Sequence, residues 1–167
     1  RMEKAFGHRD VYMYGIDEAG GYGALIYAQE PSWLAVKRLG AKIRTTGMSA
    51  ANLKFVSDTQ DMLVKASDVL KTEAEHWHAA GGLIMNYARP FPSTENPLTM
   101  RRRIGMGMYL SHYDGIMIHG FVASPDRVNE FFNNGANYRH FSVAYPQVDG
   151  VIGTLAIEGV REAFDDI

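Results

Sequence analysis

Val11-Tyr12-Met13-Tyr14-Gly15-Ile16-Asp17-Glu18-Ala19-Gly20-Gly21 decides how the rest of the chain is read. The apolar and aromatic run 11–16 has the character of a buried strand. It stops at two consecutive carboxylates, and Gly20, Gly21 and Gly23 follow at once. In α/β proteins, a strand with acids at its C-terminal tip and a turn into a helix is where active sites form. A carboxylate pair suits acid–base work on a glycosidic bond. Neighbours along a strand point to opposite faces, so Asp17 and Glu18 share a site only if the backbone has begun to turn. The glycines permit that turn because they reach backbone angles other residues avoid. The competing reading is a solvated Asp-Glu loop after a core strand.

Outward from this stretch, strands and helices alternate. Residues 24–39 carry Leu25, Ile26, Ala28, Leu34, Ala35, Val36 and Leu39 at helical spacing, with Pro31 predicted to open a second helix and Gly40 to end it. A second strand is predicted over 41–46, a weaker helix over 50–64 and a short third strand over 67–72. A helix over 73–80 stops at Gly81-Gly82, and 83–88 is the clearest strand in the chain. Asn96 is a good N-cap for a helix over 97–113, and Asp114-Gly115 turns into a fifth strand over 116–121. Beyond it come a helix over 125–132, an aromatic extended segment over 138–145 and an amphipathic helix over 154–164.

The predicted fold class is therefore α/β, built from parallel βα units. The glycines after the first strand match neither the dinucleotide fingerprint nor the P-loop, whose Lys-Ser/Thr is missing. Polar residues collect instead at the predicted strand ends: Asp17 and Glu18, Thr45 and Thr46, Lys71 and Thr72, Asn86 and Tyr87, and His119. That distribution favours a barrel whose loops line one mouth over an open, doubly wound sheet.

Composition narrows the function classes. The chain has 167 residues, 46% hydrophobic and 22% charged, with a net charge of −2, as one ordinary globular domain has. Its one basic cluster, Arg101-Arg102-Arg103, lacks the accompanying basic face of a nucleic-acid binder, so no nucleic-acid partner is expected. No apolar run approaches the ~20 residues of a membrane helix, so no membrane partner is expected either. With no cysteine there are no disulfides. His76 and His78 stand two apart on a predicted helix and do not share a face, so no metal site is expected with Glu73. No cofactor is expected. Glu158, Arg161, Glu162, Asp165 and Asp166 read as the solvated face of the last helix. The chain starts without an initiator methionine and stops in a helix still running, which leads us to expect a segment of a longer protein.

Three ordered features carry a family resemblance. They are Tyr14-Gly15-Ile16-Asp17-Glu18 at a strand end; Gly81 to Tyr87 followed by Asn96 to Arg102 and Tyr113 to Met117; and Ala144-Tyr145-Pro146 with Asp149-Gly150 before the last helix. Together they resemble the C-terminal half of the catalytic barrel in glycoside hydrolase family 123. The adjacent Asp-Glu pair is also similar to that of the family 20 β-hexosaminidases. The resemblance implies that residues 1–167 are a partial TIM-barrel domain, strands four to eight of a (β/α)8 barrel. It implies retaining, substrate-assisted cleavage of β-linked N-acetylhexosamines (GalNAc or GlcNAc). Glu18 is then the acid/base, and Asp17 orients the substrate's 2-acetamido group, whose carbonyl oxygen attacks the anomeric carbon.

Tyr14, Thr46, Asn86, Tyr87 and His119 become candidate substrate-binding residues at the mouth. The partners implied are a glycan and a complementing half-barrel or second copy, in a secreted or periplasmic setting. The chain departs from the family where a tryptophan would floor the sugar site: it has Met106, Met108, Met117 and Ile118 there. The alternative is a non-catalytic carbohydrate-binding or structural remnant of the same barrel. On either reading the half-barrel by itself is expected to show little or no activity, because its sheet is not closed.

Overall fold

The computed structural model describes residues 4–5, 7–8, 10–18, 23–47, 59–87, 96–118, 120–122 and 142–167. Five parallel strands form the main sheet, in the order β1 (Tyr12–Tyr14), β2 (Lys42–Gly47), β3 (Met62–Lys65), β4 (Leu83–Asn86) and β5 (Gly115–Ile116). Helix α1 (Gly23–Arg38) joins β1 to β2, and α2 (Lys71–Ala79) joins β3 to β4. The fold class is α/β with parallel βα units, as the alternation predicted. In this sheet each strand lies beside its predecessor and the order never reverses, so among the described residues there is no switch point of the doubly wound kind. The sheet is open among the described residues.

Register sorts the side chains onto two faces. Tyr14, Arg44, Met62 and Leu83 stand in one row across the sheet, and Thr46, Val64 and Met85 in a second row two residues further along. Period-two alternation gives these rows one face. Ile43, Leu63 and Ile84 take the other and pack with Trp33 of α1, Trp77 and Ala74 of α2, Met108 and Tyr113. That helix-covered face is the core. β3 is buried along its whole length, as a central strand covered on both sides must be.

Two aspartates do the same job two units apart. Asp61, just before β3, accepts from the Ile43 N–H at 2.8 Å and pairs with Lys37 near the end of α1 at 2.9 Å. Asp114, just before β5, accepts from the Ile84 N–H at 2.8 Å and lies 3.0 Å from His78 near the end of α2. Each carboxylate ties the start of one strand to its neighbour and to the helix that precedes that neighbour. These anchors sit at the N-terminal edge of the sheet, the edge that serves stability in βα architectures.

Several sequence expectations change. Pro31 lies inside a single helix of 16 residues and opens no second one. It lacks the N–H that would bond the Tyr27 carbonyl, and Trp33, buried in the core two residues on, holds the helix in place. The third strand is Met62–Lys65, at the end of the predicted helix 50–64, and residues 67–70 are loop, not strand. Residues 50–58 of that predicted helix lie outside the described residues. The helix after Asn96 begins as predicted, with the Asn96 side chain accepting from the Thr99 N–H at 3.0 Å. We label its whole run, 97–110, α3: an α turn (Pro97–Met100), a π segment (Arg101–Gly107) and a last turn (Met108–Leu110). It ends before Tyr113.

The predicted fifth strand divides. β5 stays in the main sheet, while β6 (Gly120–Val122) joins β7 (Ser142–Gln147) in a second, three-stranded sheet. β7 turns back antiparallel to β8 (Gly150–Gly153), a strand not foreseen. Pro146 lies beyond the last β6 pairing, so its missing N–H breaks no ladder bond on that side. The predicted helix 125–132 lies outside the described residues.

The last helix, α4 (Leu155–Asp165), is as predicted, with Thr154 as its N-cap. It packs tightly on α3. A Cβ on Gly105 would lie 2.6 Å from the Ala163 carbonyl oxygen, and one on Gly159 would lie 2.4 Å from the Pro97 carbonyl oxygen. The two glycines let the backbones meet over a second small core of Met100, Ile104, Val143, Ala156 and Val160. Arg161 pairs along its own helix with Glu158 and Asp165, as a solvated face should. Glu162 and Asp166 instead reach across to Arg101 of α3, with Asp166 taking both Nε and a terminal nitrogen. No helix among the described residues is long and apolar enough to cross a membrane.

Candidate functional site

The site begins with the turn after β1. Gly15 follows the strand with no room for a side chain: a Cβ there would fall 2.0 Å from Gln29 Oε1. Gln29, buried on α1, accepts from the Ile16 N–H at 2.7 Å and donates to the Leu25 carbonyl at 3.2 Å. The helix thus braces the turn. Two residues later the backbone of Glu18 has a φ of 49°, in the left-handed region that residues with a Cβ rarely adopt. This resolves the alternation problem, because the chain has left strand geometry before the second carboxylate. The Glu18 N–H donates to Thr46 Oγ1 at 3.0 Å, which holds the turn against β2.

Each carboxylate then has its own hydroxyl donors. Asp17 Oδ1 accepts from Tyr14 Oη and from Thr46 Oγ1, the latter at 2.7 Å, and the two hydroxyl oxygens are 2.7 Å apart. Glu18 Oε1 accepts from Tyr87 Oη at 2.5 Å. Tyr14, Asp17, Glu18, Thr46 and Tyr87 therefore form one network drawn from the C-terminal ends of β1, β2 and β4.

Electrostatics give the members different characters. The Tyr14 hydroxyl, then the Thr46 hydroxyl, the Glu18 backbone N–H and the Arg44 charge hold the Asp17 carboxyl below the usual carboxylate range. Asp17 is thus a fixed anion at neutral pH. The Tyr14 phenol is pushed up, first by burial and then by donating to Asp17. Tyr87 is pushed up further, by burial, by its bond to Glu18 and by the charges of Glu18 and Asp17. Both tyrosines stay protonated and act as donors throughout the neutral range.

One of the remaining candidates falls elsewhere. Asn86 is 1% exposed, and its amide donates to the Ser67 carbonyl at 2.6 Å. Its register row also contains Lys65, whose ammonium bonds Glu73 of α2, so Asn86 belongs to the helix-covered face and not to the network. His119 lies outside the described residues. Glu73, part of the excluded metal reading, accepts from Lys65 and from Tyr113 Oη, while His78 faces Asp114. Among the described residues no three such ligands converge.

Sequence reasoning missed two contributors. Gln29 and Arg44 reach the site from a helix and a neighbouring strand, contacts that no local spacing reveals. The signal for Lys65 was available: Met62-Leu63-Val64-Lys65 repeats the apolar run closed by a charge that marked β1. Comparison with protein-family models, with curated proteins and with solved structures finds no match to this chain.

Proposed function

We propose that this chain carries the acid–base pair of a glycoside hydrolase that cleaves β-linked N-acetylhexosamines with retention and with help from the substrate. The supporting observation is the division of the pair: two adjacent carboxylates on one turn, each held by different hydroxyls. In this mechanism the nucleophile is the substrate's own 2-acetamido oxygen, so the enzyme needs no second carboxylate at the separation two-carboxylate mechanisms require. Adjacent residues then suffice. Asp17, kept ionised by Tyr14 and Thr46, accepts the acetamido N–H and stabilises the positive charge that develops as its oxygen attacks. Glu18 donates its proton to the departing glycosidic oxygen and then takes one from the water that opens the cyclised intermediate. Tyr87, which donates to Glu18, fixes the direction of that carboxyl.

On this reading the parallel strands β1 to β5 are strands four to eight of a (β/α)8 barrel. The sequential strand order and the placing of the pair at the strand C-termini support that assignment. The face carrying Tyr14, Arg44 and Thr46 is then the barrel interior. A second reading, a glycan-binding or structural barrel remnant without turnover, is favoured by the open sheet among the described residues.

The discriminating experiment compares aryl glycosides carrying a 2-acetamido group with matched 2-hydroxy glycosides, using the full-length protein and Asp17→Asn. Turnover confined to the acetamido substrate, reduced roughly 100-fold or more in Asp17→Asn, supports the proposal. Equal turnover of the 2-hydroxy glycoside removes substrate assistance. Binding of amino sugars without any turnover selects the remnant.

A further inference from the structure

Among the described residues, three buried side-chain donors have no hydrogen-bond partner: Gln60 Nε2, Trp77 Nε1 and Arg44 Nε. Trp77 lies in the helix-covered core, and Gln60 accepts from Thr45, whose row points the same way. Arg44 stands in the row of Tyr14, two residues before Thr46, on the face of the carboxylate pair. Its Cζ lies 4.6 Å from the centre of the Tyr14 ring.

Several other cations have carboxylate partners. Lys37, Lys42, Lys65, Arg101 and Arg161 each form an ion pair. Among the described residues no hydrogen bond or ion pair engages the Arg44 side chain. The residue as a whole is partly exposed. Asp17 feels the Arg44 charge, yet its Oδ1 is occupied by Tyr14 and Thr46.

An unpaired guanidinium beside a site has a definite chemistry. Its planar fork of donors matches a carboxylate or sulfate in bidentate fashion, and stacking on an aromatic ring fixes the plane in advance. A buried donor left without an acceptor is the kind of group a ligand completes. Resting on the glycosidase reading of this same site, we propose that Arg44 binds an anionic group, carboxylate or sulfate ester, on the glycan held at Asp17 and Glu18. The substrate is then an acidic amino-sugar glycan, and Arg44 is its specificity-determining residue.

The test is calorimetric binding to the full-length protein, to Arg44→Met and to Arg44→Lys. The probes are a neutral N-acetylhexosamine glycoside, its 6-sulfated counterpart and a disaccharide joining a uronic acid to N-acetylhexosamine. The expected result is binding of one anionic probe about 10-fold or more tighter than the neutral one, a preference equivalent to ~1.4 kcal/mol. Arg44→Met loses that preference, so that neutral and anionic probes bind it alike, Arg44→Lys retains part of it, and salt weakens it. Whichever anionic probe gains identifies the group. Equal affinities in the wild type overturn the inference while leaving the glycosidase reading intact. So does an Arg44→Met loss that falls equally on neutral and anionic probes, which makes Arg44 a support for the Tyr14 ring. No binding of any amino sugar overturns both. Thermal unfolding of each variant verifies the fold, and Arg44→Lys keeps the test decisive if the methionine variant fails to fold.

Discussion

Glu18 occupies a backbone conformation that costs on the order of 1 kcal/mol for a residue with a side chain. Thr46, accepting its N–H, and Tyr87, holding its carboxylate, offset that cost. Such strain at a candidate catalytic residue fits the proposed role, since the turn is what brings two adjacent acids to one site. Two predictions belong at this scale. Tyr14→Phe removes the largest influence holding Asp17 acidic, so the Asp17 pKa must rise toward its ordinary value. The low-pH limb of a kcat/KM profile, or the Asp17 carbon shift in an NMR titration, therefore moves to higher pH. A limb that stays in place or moves down shows that Tyr14 does not govern Asp17. Gly15→Ala drives a methyl group into Gln29 and should cost about 1–3 kcal/mol in denaturant unfolding. The Asp-Glu turn was legible in the sequence because adjacent acids after a strand demand one. Gln29 and Arg44 were not, because their roles rest on contacts across the chain.

Among the elements, the repeated aspartate anchor is the most informative. Asp61→Asn loses the Lys37 ion pair and keeps at most part of the Ile43 bond, so it should lose about 1–2 kcal/mol of stability. Asp114→Asn should behave similarly through Ile84 and His78. Chemical denaturation of both variants checks the equivalence; a loss in one alone contradicts it. Where α3 and α4 meet, Gly159→Ala places a methyl group against the Pro97 backbone. Backbone yields less readily than a side chain, so a loss of about 2 kcal/mol or more is expected.

These elements differ in how readable they were. α4 announced itself through Thr154 and helical spacing, although it buries Ala156, Gly159, Val160 and Ala163 and leaves Leu155 and Phe164 exposed, and β4 announced itself through an unbroken apolar run. β3 was lost because Met62-Leu63-Val64 is too short for its period to separate strand from helix. Its burial on both faces removed the alternation that would have decided the matter. Pro31 misled because its local rule is overridden by the anchoring of Trp33 in the core.

For the molecule as a whole, the βα alternation carried the fold class, and the sequential strand order could not have been read from it. Strand order depends on how each crossover packs, which local sequence does not encode. The division of residues 115–122 between two sheets was hidden for the same reason: one apolar run served two partners. Lys65, 2% exposed at the C-terminal end of β3, links the core to this scale. Its ion pair with Glu73, in which Tyr113 joins, ties β3 to α2 and to the segment before β5. Lys65→Met leaves Glu73 uncompensated and should cost roughly 3 kcal/mol, with Lys65→Met/Glu73→Gln recovering part.

The site at the C-terminal ends of the strands rests on this framework, and the proposed role on which everything else depends is that of Glu18 as proton donor. The most direct measurement is turnover and binding of an aryl β-N-acetylhexosaminide by the full-length protein and by Glu18→Gln. Wild-type turnover, a loss of roughly 1,000-fold or more in the variant for a poor leaving group, and unchanged binding are the predicted result. Turnover that survives Glu18→Gln, or a wild type that neither cleaves nor binds the glycoside, contradicts it.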